Sequence, residues 1–157
     1  MFKFILKFVL FFYIFGSYSY SEILKKVDIT GNQRISDETI LALGKISINQ
    51  DLNENIINEF LKNIYDTNFF SDIKISFDKN VLNISLVENP IIENIEIIGI
   101  KDKSFLEEIS NSMILKNRMS FTKEQLNHDI NIIKNILKTN GFYFSKVDSS
   151  IVKKDAL

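Results

Sequence analysis

The sequence predicts an α+β protein made of two tandem units. Each unit runs strand, helix, helix, strand, strand, giving a three-stranded sheet with two helices on one face. Three observations predict this. Several short runs alternate apolar and polar residues, the period of a half-buried strand. Between them lie stretches whose apolar residues recur every three or four positions, the period of a helix with one buried face. One string also occurs twice: Val27-Asp28-Ile29-Thr30-Gly31 returns 68 residues later as Ile95-Glu96-Ile97-Ile98-Gly99, which marks an internal repeat.

The chain opens with MFKFILKFVLFFYIF, which carries two lysines, no acid and an apolar run from Phe8 to Phe15. Small residues alternate just after it, so Ser17/Ser19 or Ser19/Ser21 fit the two positions before a cleavage point. This predicts a secretory signal peptide over residues 1–21, cleaved near Ser19 or Ser21. The alternative is an uncleaved membrane anchor, for which the run is short against the roughly 20 apolar residues of a span. Loss of residues 1–21 shifts the net charge from −1 to −3.

The first unit is expected over residues 22–90. ILKKVDIT (23–30) reads as a strand ending at Gly31. Ser36 can cap a short helix, with Asp37 and Glu38 in its first turn. NENIINEFLKNIYD carries one apolar stripe through Ile56, Phe60, Leu61 and Ile64 and reads as a longer helix. Asn68, tolerant of left-handed geometry, ends that helix. FFSDIKISF (69–77) and VLNISLV (81–87), joined at Asp78-Lys79-Asn80, read as a hairpin.

The second unit is expected over 91–157. IIENIEII (91–98) reads as a strand, and Ser104 with Glu107 as a capping box for a short helix. Thr122 and Gln125 form a second capping box, for a long helix that stops at Asn140-Gly141. FYFSKVDSSIV (142–152) reads as the next strand, and the last strand is barely begun at Leu157. The expectation is therefore that the sequence is the front part of a longer protein. Glu88, Asn89 and Pro90 fall between the units, and so short a linker predicts a semi-rigid arrangement.

Composition narrows the function. The chain has no cysteine, one histidine and a net charge of −1. Disulfides and thiolate catalysis are excluded, and no basic excess draws it to nucleic acid. His128 falls on the polar face of its helix. The adjacent acids Asp37-Glu38 and Glu107-Glu108 suit helix first turns rather than acid–base work. No glycine-rich phosphate loop is present. The expectation is a non-enzyme with no cofactor and no metal. Two features stand out instead. One is the strand containing Asp72, Ile73, Lys74, Ile75, Ser76 and Phe77, expected at a sheet edge where an extended segment of another chain could add. Its Asp72 and Lys74 can equally be read as charges that guard the edge against pairing. The other is the pair of turns at Gly31 and Gly99.

The motifs resemble those of POTRA domains of BamA-type outer-membrane barrel assembly factors. ITGNQRISDETI (29–40), IYDTNFFSDIKI (64–75) and LVENPIIENIEIIGIK (86–101) carry the resemblance. Gly31-Asn32 with Arg34-Ile35 match the opening turn of the family. Tyr65, Thr67, Phe70, Asp72 and Ile73 match its middle stretch, and Glu88-Asn89-Pro90 its junction. Gly141 to Val147 matches the corresponding stretch of a second repeat. Asn68 stands where the family has Gly, and Ile100 where it has Asn. The resemblance implies a mixed sheet in each unit and a place on the periplasmic side of the outer membrane of a Gram-negative bacterium, ahead of a barrel. It implies binding of unfolded outer-membrane protein precursors and accessory assembly lipoproteins, with membrane contact only through that barrel or an uncleaved signal. The alternatives are the POTRA part of a two-partner secretion or autotransporter-assembly transporter, and an inner-membrane-anchored division scaffold.

Overall fold

The computed structural model describes residues 22–154. They form β1 (Glu22–Ile23), β2 (Lys26–Thr30), α1 (Asp37–Gly44), β3 (Asp51–Leu52), α2 (Glu54–Asp66), β4 (Phe70–Asp78), β5 (Val81–Glu88), α3 (Lys103–Ser112) and α4 (Lys123–Thr139). Ser19 and Ser21, the expected cleavage region, lie outside the described residues.

The first unit has the expected order. Its sheet runs β2-β5-β4, with β5 in the middle, parallel to β2 and antiparallel to β4. The last strand in sequence is thus the one that holds the other two together. Leu82, Ile84 and Leu86 of β5 point into the core, while Asn83 and Ser85 between them face solvent. α1 and α2 cover the apolar face through Ile40, Phe60 and Ile64. They approach so closely that a Cβ on Gly44 would lie 2.1 Å from the buried ring of Phe60.

Local chemistry sets the boundaries. Ser36 caps α1 by accepting from the Thr39 N–H, and Asn53 caps α2 by accepting from the Ile56 N–H. Lys79 and Asn80 both have positive φ, 50° and 66°, the geometry of a two-residue hairpin turn that matches strand twist. Asn68 is left-handed, φ 59°, as its residue type allows. The single strand expected over 23–30 is broken, because the chain changes partners. Leu24 pairs with the loop between the helices, donating to Gln50 O and accepting from Asn49 N. Lys25 and Lys26 then donate to Asn80 O at the start of the main sheet.

The second unit repeats this corner. Ile92 donates to Met119 O at 2.9 Å and accepts from Arg118 N at 2.7 Å, as Leu24 does with Gln50 and Asn49. Asn49 and Arg118 even share φ 69°. Thr122 caps α4 by accepting from the Gln125 N–H, and Gly141 follows its end with φ 88°. Two expectations need correction. α3 is capped by Asp102, not Ser104: Asp102 accepts from the Phe105 N–H and from the Ser104 hydroxyl. The carboxylate two residues upstream is the stronger acceptor.

The second correction concerns strands. Residues 91–98 and 142–152 form no ladder, only an isolated Ile91–Ser120 bridge. The first unit supplies the reason: β2 and β4 do not touch, and both depend on β5. Among the described residues of the second unit nothing takes the place of β5. Near the end of the described residues, Lys154 pairs with Glu93 at 2.8 Å. Gly99 shows the same gap. A Cβ on Gly31 would strike Leu86 O of β5 at 2.0 Å, whereas one on Gly99 meets nothing within 4 Å.

Candidate binding edge and repeat junction

β4 is nine residues long and lies at the edge of its sheet. Ile73, Ile75 and Phe77 turn toward the core, and Lys74 and Ser76 between them are exposed. The apolar side chains are therefore spent on packing, while the outer backbone N–H and C=O groups have no strand partner among the described residues. A register shift between Phe70 and Asp72 marks a bulge at Ser71, whose hydroxyl donates to Val87 O. The bulge ends the regular edge at one side. Lys74 and Asp72 lie 3.5 Å apart and are largely exposed, so their pairing stabilises little. β2, the other edge, is only five residues long.

The turn and junction residues converge on one another. One Glu88 oxygen accepts from the backbone N–H groups of Gln33 (2.8 Å), Arg34 (3.0 Å) and Ile35 (3.2 Å). The other meets Arg34 Nε at 2.7 Å, and the Glu88 side chain is only 8% exposed. Arg34 Nη2 donates to Asn89 O. Asn89 in turn donates from its side chain to Asn68 O and from its backbone to Phe69 O. Pro90 O accepts from the Phe121 N–H of the second unit. Burial raises the Glu88 carboxyl, but the three backbone donors and Arg34 outweigh it and leave the group below its ordinary value. Asn32 steadies the same turn, donating to Ile35 O and to Asp37. Gly31 passes over Leu86 with φ 88°. Gly99 does not join this cluster.

Beside the junction lies an open cleft of about 290 Å³ between the corner at 67–69 and the turn at 118–120. Ile35, Phe69, Ile91 and Met119 give it apolar walls, and Thr67, Arg118, Ser120 and Gln125 give it polar ones.

His128 is exposed, as its helical position predicted. Among the described residues no three His, Asp or Glu side chains gather as a metal site, and no helix is long and apolar enough to cross a membrane. Sequence reasoning missed Asp129, which is fully buried and accepts from the Ile114 and Leu115 N–H groups at 2.7 and 2.9 Å. An Asp on a helix face carries no signal of such a partner. It also missed Arg118, which the 68-residue repeat does not align with Asn49; only the hydrogen bonds of the corner make the two equivalent.

This is the geometry of a tandem repeat, and comparison with known proteins gives its class. The POTRA family, described as "Surface antigen variable number repeat", matches residues 23–89 and again 90–156. The chain belongs to the POTRA family. It is 22% identical over 142 residues to the outer membrane protein assembly factor BamA of Neorickettsia risticii, covering 89% of this chain and 19% of that protein. It is 25% identical over 136 residues to the BamA of Nitratidesulfovibrio vulgaris, covering 84% of this chain and 17% of that one. The chain thus spans about a fifth of the length of these relatives. In fold it is similar to the N-terminal domain of Omp85 from Thermosynechococcus elongatus, with a TM-score of 0.57 at 13% identity, covering 84% of this chain and 57% of that one. POTRA domains 1–3 of Omp85 from Anabaena align with a TM-score of 0.51 at 13% identity, over 83% of this chain and 57% of that one.

Proposed function

We propose that the chain is a non-catalytic periplasmic binding module of an outer-membrane β-barrel assembly factor, and that it holds unfolded barrel precursors partly by strand addition at β4. The observation that carries the second part is the long free edge of β4, whose apolar side chains are committed to the core while its outer backbone is not. An extended precursor segment supplies complementary N–H and C=O groups without regard to its sequence. The similarity to two BamA proteins supports the assembly role and the periplasmic, outer-membrane-associated location. The division into a signal over 1–21 and units over 22–90 and 91–157 belongs to this reading, and the two family matches support it. Accessory assembly lipoproteins are the further partners we assign to the module.

The test uses two neighbouring prolines, Lys74→Pro and Ile75→Pro. Successive residues of an edge strand point their N–H groups to opposite sides. One proline therefore breaks a bond to β5, and the other removes only an outward donor. The expected result is one variant with lowered stability and one that melts close to the parent yet crosslinks a precursor poorly. Undiminished crosslinking by the stable variant would show that β4 is not the docking edge.

A further inference from the structure

We propose that the cleft at the repeat junction binds a carboxylate set beside a large apolar side chain, as an extended peptide presents them, with Arg118 holding the carboxylate. The inference stands apart from strand addition, since the cleft is not the outer edge of β4. Arg118 has no ion-pair partner among the described residues. Arg34 also lines the cleft, but its guanidinium is already bound to Glu88 and Asn89. Arg118 is therefore the cation available to a ligand there, and its planar fork suits a carboxylate. Beside it, Ile91 and Met119 are 47% and 39% exposed. Apolar surface and a free cation thus share one concavity.

The backbone adds a second argument. Arg118 is left-handed at φ 69°, at the position where the first unit has Asn49 at the same angle. Asn is among the residues that tolerate this region, and Arg has no such advantage. Lys45 and Lys79 share this backbone region at a helix end and in a hairpin, where the turn accounts for it; Arg118 is the one of the three that lines the cleft. The volume, about 290 Å³, is at the small end of ligand sites. It suits one large side chain with its neighbouring carboxylate. The net charge of −1 offers no general attraction for anions, so Arg118 must act locally.

The experiment follows amide resonances of the isotope-labelled chain, as purified from cells, during titration with three probes. They are N-acetyl-Leu-Phe with a free carboxylate, its C-terminal amide, and inorganic phosphate. The acid is expected to shift Asn68, Phe69, Ile91, Met119 and Ser120. The amide should bind about tenfold or more weakly, as loss of a charge-assisted pair implies, and phosphate should give no saturable shifts at these residues. Arg118→Asn should lose the acid by a similar factor while melting no lower than the parent, and Arg118→Gly should do the same. Equal binding of acid and amide, saturable phosphate binding at the cleft, shifts confined to other residues, or undiminished binding by both variants would each overturn the proposal.

Discussion

Replacing Glu88 by Ala tests how the first unit is locked to the junction. The carboxylate satisfies three backbone N–H groups and Arg34 Nε from a side chain only 8% exposed. Each donor left without its acceptor costs about 1 kcal/mol, and more where water cannot replace it. Four lost bonds thus destabilise by at most about 4 kcal/mol. Arg34 is 38% exposed, so water recovers part of its share and about 3 kcal/mol is the expected net. Glu88→Gln keeps one oxygen acceptor but loses the charge, for about half of that loss. Urea unfolding followed by circular dichroism measures both. Because the folded carboxyl lies below its ordinary value, its contribution is present above the unfolded glutamate pKa and is lost as pH falls through the lowered folded one. The parent should therefore lose its advantage over Glu88→Gln in acid. A loss below about 1 kcal/mol for Glu88→Ala, or a gap between parent and Gln variant that does not shrink at low pH, would refute the reasoning.

Three further outcomes are expected. Gly31→Val should unfold the first unit at 25 °C or lower its stability by about 3 kcal/mol or more, since it joins a β-branched residue at φ 88° to a collision with Leu86 O; an unchanged melting temperature would contradict this. Asp129→Ala should destabilise the second unit by about 2–4 kcal/mol by leaving the Ile114 and Leu115 N–H groups without acceptors, and should raise hydrogen exchange at those two amides first. Lys45→Gly should stabilise by about 0.5–1 kcal/mol, because Lys45 closes α1 at φ 57°, a conformation glycine adopts freely. Its exposed contact with Glu59, 3.5 Å long, is too weak to offset that gain.

What the sequence determined by itself was local. The repeated string ending at Gly31 and Gly99, the caps Ser36 and Thr122, the Lys79-Asn80 turn and the two helical stripes all follow from properties of neighbouring residues. So did the alternation of β5, because the period of two decides which side chains face a core wherever that strand pairs. The edge position of β4 was an expectation that the structure bears out, because the count of two edges in three strands does not say which strands they are. Tertiary structure alone decided which strand lies in the middle. Strand order depends on pairing between residues far apart in the chain, and pairing leaves no period in the sequence. That is why residues 91–98 and 142–152, though patterned as strands, lack a ladder: alternation prepares a strand, but only a partner makes it one. The Glu88 latch, the burial of Asp129 and the placement of Arg118 at the cleft depend on the same cause. Each joins groups brought together by the packing of whole elements, and the residue types involved are ones that usually sit in water.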